Sequence, residues 1–209
     1  MVAETPSTRA GRDATASASA GDVTSKSGVY PQVLGDAWYA LDPAVRRAHA
    51  DGRRLRGVGH FRVEHGRGAL TRLLVRAAGV PPPHEAAPVR ILIERIGGRE
   101  RWRRSIGGRP LVTEQYQGSN GTLVERFGPL KFSFQLIVDG GSLIYRQVTL
   151  ALALGRLQIP VPARLQLHID ACEESLLSSI DSHTTVEVST ASGRLLFSYR
   201  GAIRWDTGT

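Results

Sequence analysis

The residues best placed to do chemistry lie on stretches with strand-like alternation, where residues two apart share a face. Over 100–106 this rule groups Trp102, Arg104 and Ile106. It groups Leu123, Glu125 and Phe127, then Phe132, Phe134 and Leu136, on the next stretches. Leu143, Tyr145 and Gln147 follow, and later Leu195, Phe197 and Tyr199. If the more apolar face of each stretch is the inner one, the interior holds a small polar set. That set is Arg104, Glu125, Gln147, Tyr145, Tyr199 and the Trp102 indole. Buried charges must be paired, so Arg104 and Glu125 are expected to satisfy one another or a ligand. One reading is an internal ion pair with no chemical duty. The other is a set of convergent polar groups that orients a substrate in an apolar cavity. In the second case Arg104, Glu125 and Tyr145 are the catalytic candidates. Trp102, Tyr116, Phe132, Phe134, Tyr199 and Trp38 are the candidate substrate contacts. Tyrosine hydroxyls, an indole N–H and a guanidinium can polarise a carbonyl or hold a polyene in a reactive fold. Orientation alone can remove several kcal/mol from a barrier.

Other chemistries have little support. The six histidines show no metal-ligand spacing with Cys172, so no metal is expected. His168 and Asp170 fall on the face opposite Leu165, Leu167 and Ile169, where a solvated pair is the default reading. There is no Gly-x-Ser-x-Gly elbow, and Cys172 has no evident base partner. Gly57-Val58-Gly59 lacks the third glycine and the helix of a dinucleotide fingerprint. No loop of the phosphate-cradling type occurs, so no cofactor is expected. Asn120-Gly121-Thr122 matches a glycosylation sequon, but a turn explains it.

These candidates need a sheet to hold them. Glycine pairs at 97–98, 107–108 and 140–141, with Ser119-Asn120-Gly121 between the last two, supply the positive φ that tight hairpins require. The segments between them, 89–96, 100–106, 111–117, 122–127, 130–138 and 142–150, have strand length and strand composition. Segments 54–64, 165–175, 183–189 and 194–205 extend the series, and Ile159-Pro160-Val161-Pro162 must be an edge or a crossover. Residues 30–50 read as helical, with a restart at Asp42-Pro43, and should pack across the sheet. Residues 68–78 read as an amphipathic helix with Leu70, Leu73, Leu74 and Ala77 inward. The expectation is a mainly β fold: an antiparallel β-barrel or strongly curled sheet of about ten strands, with two or three short helices near the N-terminus. A closed barrel of this kind commonly keeps one small-ligand cavity.

Composition sets the outer bounds. The 209 residues suit a disordered tail over 1–28, poor in large apolar residues and without a signal-peptide core, followed by one domain over 29–209. A single cysteine excludes an internal disulfide and fits a cytoplasmic setting. No apolar run approaches the roughly 20 residues of a membrane span. The net charge of +8 comes from arginine; Lys26 and Lys131 are the only lysines. Nucleic-acid binding is not expected, because the arginines are interleaved with carboxylates and no binding motif accompanies them.

From Pro31 to Arg204 the chain resembles the bacterial domain-of-unknown-function 4166 family, often found behind a saccharopine-dehydrogenase-like reductase. The matching residues are Trp102 and Arg104 leading to Gly107-Gly108, then Glu125-Arg126-Phe127-Gly128-Pro129 with Phe132 and Phe134. The run at 159–162 and Tyr199-Arg200-Gly201 complete the match. The resemblance implies no activity. Here the domain is expected to stand free of a reductase, with a pocket that has its own task. In outline such barrels resemble the cofactor-free cyclases of polyketide pathways, including those that guide cycloadditions. The expected function is therefore a cofactor-independent cyclase or pericyclase acting on an apolar, polyketide-like small molecule. The alternatives are a non-catalytic module for a lipid-like ligand, or a binder of anionic surfaces or nucleic acid through its arginine-rich outer faces. A homodimer is compatible with all three.

Overall fold

The computed structural model describes residues 28–50, 52–176 and 181–206. The tail expected over 1–28 lies, apart from Gly28, outside these residues. Eleven strands make one antiparallel sheet: β1 (Arg54–His65), β2 (His84–Ile96), β3 (Arg99–Ile106), β4 (Arg109–Gln117), β5 (Leu123–Phe127), β6 (Leu130–Asp139), β7 (Ser142–Leu154), β8 (Leu157–Pro160), β9 (Leu167–Ser175), β10 (Asp181–Thr190) and β11 (Leu195–Trp205). Strands β1 to β6 form a meander, and β1 also pairs with β11, which leads through β10 and β9 to β7. The pairing of β7 with β6 closes the ring, so ten strands form a barrel and β8 hangs on the flank of β7. Closure removes the exposed edges that an open sheet of this size would present.

Local sequence explains the hairpins. Both glycines at 97–98, 107–108 and 140–141 have positive φ, between 55° and 84°, as two-residue turns matched to strand twist require. A second glycine requirement arises between β1 and β11. A Cβ on Gly59 would strike the Ala202 carbonyl, and one on Gly201 would strike the His60 carbonyl. The two backbones approach so closely that only glycine fits.

The two ends of the barrel differ. One is plugged by α1 (Val29–Leu34), a 3-10 turn (Gly35–Ala40) and α2 (Pro43–His49). Pro43 begins α2 as expected, and the Asp42 amide donates to the Gly141 carbonyl at 2.9 Å, tying the plug to the β6–β7 hairpin. Tyr30, Val45 and Ala48 are fully buried in a core shared with Ile93, Trp102, Leu123, Leu143 and Trp205. The other end carries α3 (Ala69–Ala77), the β7–β8 turn and the turn between β10 and β11.

The orientation of α3 differs from the expected one. Thr71 and Val75 are buried, Val75 against Val188 and Leu196, whereas Leu73 is 64% and Leu74 is 40% exposed. The side chains of Leu70 and Ala77 lie outside the described residues. Where β1 delivers the chain to α3, the Gly66 amide donates to the Leu196 carbonyl at 2.9 Å. The start of α3 is thereby tied to β11, and Val75, not Leu73, meets Val188 and Leu196.

Introducing a side chain at the β1–β11 pinch, as in Gly201→Val, is expected to lower the unfolding free energy by about 1–3 kcal/mol, the usual cost of overpacking. Urea denaturation measures it; an unchanged midpoint would show that the two strands do not meet this closely.

Candidate functional site

The barrel encloses a cavity of about 170 Å³. Ala78, Val80, Leu130 and Phe197 border it at the α3 end; Gln115, Tyr145 and Glu173 border it toward the plug. Its walls are mostly apolar, with Phe61, Ile91, Phe132, Phe134, Ile169 and Val186 among them.

Most of the sequence-nominated residues converge here. Trp102, Arg104, Glu125, Phe132, Phe134, Tyr145 and Tyr199 all line the cavity. Arg104 and Glu125 face one another with Nη1 and Oε1 3.6 Å apart, and Nη1 also donates to Thr113 Oγ1 at 2.9 Å. The guanidinium lies over the Trp102 ring, 4.6 Å from its centroid. Burial disfavours the Arg104 charge, but Glu125 and the surrounding tyrosines outweigh it and raise its pKa. Arg104 is therefore a cation at any ordinary pH. Burial drives the Tyr199 hydroxyl up to about 12, against the opposing pull of Arg104. It remains a neutral donor, its ring stacked on Phe61 at 5.2 Å.

Two nominated residues stand elsewhere. Tyr116 points outward from β4 under the Arg99 guanidinium, 4.8 Å from its ring centroid. The inward phase of β4 belongs instead to Leu111, Thr113 and Gln115. Trp38 sits in the plug, packed against the core away from the cavity. Two other interior groups are already committed. The Trp102 indole donates to Glu100 at 3.1 Å. The Gln147 amide spans the Leu167 carbonyl and the Ile169 amide, at 2.7 and 2.9 Å.

The centre of the floor escaped sequence reasoning. Glu173 on β9 accepts from Tyr145 at 2.8 Å through Oε1, and its Oε2 lies 2.8 Å from His49 Nε2. Tyr30 donates to Gln115 Oε1 at 2.8 Å, and its hydroxyl lies 3.1 Å from that of Tyr145. The His49 ring lies against Tyr30, with centroids 3.7 Å apart and planes tilted by 31°. Burial pushes Glu173 up, but His49, the Tyr145 hydroxyl and Arg104 together hold its pKa below the usual carboxylate value. An ionised carboxylate only accepts, so His49 Nε2 is the donor in their contact. Tyr30 and Tyr145 are both pushed well above ordinary tyrosine, first by burial and then by the charge of Glu173. Two hydroxyl protons serve three contacts in the chain Gln115–Tyr30–Tyr145–Glu173. Rotation of a hydroxyl can therefore redirect its hydrogen bond from one neighbour to another while each proton stays on its own oxygen.

Beneath this, Glu100 accepts from Arg95 Nε at 3.0 Å, and Arg95 also donates to the Ala48 carbonyl at the end of α2. Sequence phase held a signal for part of this set. Extending the inner face of Leu167 and Ile169 by two steps of two reaches Glu173. Among the described residues no group of three or more His, Cys, Asp or Glu side chains could hold a metal ion. No helix of the described residues is long and apolar enough to cross a membrane.

A family model described as domain of unknown function (DUF4166) matches residues 41–203. The chain belongs to the DUF4166 family. The family description attaches no activity to the cavity of this DUF4166 barrel. No curated protein matches the chain. Among solved structures it is similar to a protein of unknown function of the DUF3598 family from Nostoc punctiforme PCC 73102, at 11% identity and a TM-score of 0.39. That match covers 72% of this chain and 45% of the other, so the chain spans less than half of that relative. A secretory abundant heat soluble protein from Ramazzottius varieornatus, obtained from a dimer sample, is similar at 12% identity and a TM-score of 0.37, over 71% of this chain and 91% of that one.

Acid should act through Glu173. Its pKa is lower folded than unfolded, so its stabilisation is complete above the unfolded value of about 4.3 and disappears as pH falls through the folded value. Glu173→Gln is expected to cost about 2 kcal/mol at neutral pH, the scale of a hydrogen bond to a charged group, and to flatten the acid limb. Urea midpoints measured from pH 3 to pH 8 test this; parallel acid limbs for the two proteins would reject it.

Proposed function

We propose that the barrel binds an apolar small molecule carrying one neutral polar group, which enters from the α3 end and seats that group on the floor. The observation that carries this reading is an apolar cavity whose floor cation is already balanced. Arg104 faces Glu125, and Glu173 adds a further buried carboxylate. A ligand carboxylate there would meet like charges without the screening of water. A carbonyl or hydroxyl meets a donor instead: the Tyr199 hydroxyl has no protein partner among the described residues. The volume limits what is enclosed. A dry cavity of about 150 Å³ accepts benzene, so the enclosed part is about the size of one ring or a short chain. Anything longer extends into the mouth.

Calorimetric titration with a medium-chain methyl ketone, the matching alcohol and the matching fatty acid at pH 8 tests this. The ketone and alcohol should bind, and the fatty acid at least about tenfold more weakly. Tyr199→Phe should weaken ketone binding by about tenfold, the worth of one hydrogen bond. A fatty acid that binds best, or a ketone and an alcohol that both fail to bind, would overturn the proposal.

A second reading follows from the tyrosine hydroxyls at the floor. Tyr145 borders the cavity, so its hydroxyl, turned from Glu173 toward a bound carbonyl, would polarise that carbonyl as a hydrogen-bond donor while keeping its own proton. This is the form in which the expected cyclase remains: an isomerisation or ring closure of the enclosed part, conserving mass and needing no cofactor. Incubation with unsaturated ketones, followed by chromatography for new isomers of equal mass, is the measurement. Catalysis requires that Tyr145→Phe abolish turnover while binding persists. Turnover that survives in Tyr145→Phe would remove Tyr145 from the mechanism, and binding without turnover would leave the carrier reading alone.

A further inference from the structure

The open end of the barrel carries an apolar rim that nothing among the described residues covers. Leu73 and Leu74 on α3 are 64% and 40% exposed. Leu154 and Leu157, 56% and 59% exposed, flank the Gly155-Arg156 turn between β7 and β8. Leu152 is level with Leu130, the first residue of β6. The turn therefore projects beyond β6 by two further residues, about 7 Å at the usual strand rise. Leu165, 71% exposed, lies on the 3-10 turn that leads into β9 at the same end. Antiparallel pairing puts all these segments at one end of the barrel, opposite the plug.

Basic residues alternate with these leucines. Arg72 and Arg76 flank Leu73 and Leu74 on α3, Arg156 separates Leu154 from Leu157, and Arg164 precedes Leu165. All four are exposed, as is Arg194 beside the start of α3. Glu64 and Glu85, the carboxylates flanking α3 on β1 and β2, are both within reach of Arg62, at 2.7 and 3.5 Å. The next carboxylates, Asp170 and Glu187, lie lower, on the outer wall of β9 and β10. Among the described residues, the rim thus combines projecting leucines with arginines that no carboxylate pairs. Polyanions such as nucleic acid would satisfy the arginines but leave the leucines in water. A surface that is anionic and apolar beneath satisfies both.

We infer that the open end docks on an anionic lipid bilayer, with Leu73, Leu74, Leu154 and Leu157 in the acyl boundary and the interleaved arginines on the headgroup phosphates. Ala78 and Val80, which border the cavity directly after α3, then face the lipid. Taken together with the ligand-binding reading, docking lets an apolar molecule pass between bilayer and cavity without crossing water. The docking itself stands on the rim alone.

Sedimentation with vesicles, in the absence of any added ligand, tests it. The protein should sediment with mixed phosphatidylcholine–phosphatidylglycerol vesicles and not with phosphatidylcholine alone. The double variant Leu73→Glu/Leu157→Glu alters two exposed positions and should retain the near-ultraviolet circular dichroism of the buried Trp102 and Trp205. Its vesicle binding should fall at least tenfold. Three results would overturn the inference: no sedimentation of the wild type, equal sedimentation of the variant, or a wild-type dimer that the variant dissociates, which would make a second copy the occupant of the rim. Because no ligand is added, a failed ketone titration leaves this result standing, and the converse also holds.

Discussion

The structure depends on keeping one carboxylate charged in the floor of a barrel. An ion taken out of water costs several kcal/mol unless its lone pairs are met. Glu173 on β9 is met by Tyr145 from β7 and His49 from α2. Tyr145 is met by Tyr30 from α1, and Tyr30 by Gln115 from β4. Elements far apart in sequence are thereby required at one point. The N-terminal arm is bound by this requirement, and Arg95 adds a second tie by joining Glu100 to the last turn of α2. Helices as short as α1 and α2 have little stability of their own. They owe their place to the partners inside the barrel.

Plugging one end makes the molecule asymmetric along the barrel axis. Polar groups gather above the plug, apolar walls follow, and the rim at the far end is apolar and basic. Each level answers a different solvent. The floor replaces water with fixed dipoles, the walls exclude it, and the rim leaves leucines exposed to whatever the open end meets. A ligand with one polar end would therefore be oriented before it makes a specific contact.

Much of this was legible in the sequence because alternation and turn chemistry are local. Paired glycines mark hairpins whatever lies across the barrel, and the apolar-face rule finds the inner phase of β3, β5, β6, β7 and β11. The same rule misleads on β4. There the inner residues next to the floor are Thr113 and Gln115, while the outer face carries Val112 and Tyr116. A site made of polar groups inverts the pattern used to find the inside, so Tyr116 is a natural but outward-facing nominee. His49 and Tyr30 belong to short helices whose partners lie 124 and 115 residues away, and no local periodicity encodes those meetings. The rotation of α3 was hidden for the same reason: its buried residue, Val75, packs on Val188 and Leu196, far away in sequence.

Gln147 shows how closely the hollow and the architecture are linked. Strands β7 and β9 pair only from Leu143 to Arg146, against Glu173 to Asp170. Beyond that point they separate, and the Gln147 amide takes over by bonding the Leu167 carbonyl and the Ile169 amide. An amide side chain carries both a donor and an acceptor, so one residue can satisfy both backbone groups across the widened gap. β8 pairs with β7 just past this opening, from Ala151 to Leu154, and satisfies part of the backbone that β9 abandons. The barrel can thus widen toward its open end without leaving a bare edge. The polar group expected to face a ligand instead holds the seam, and the space it makes available lies above the floor, where apolar walls can receive one.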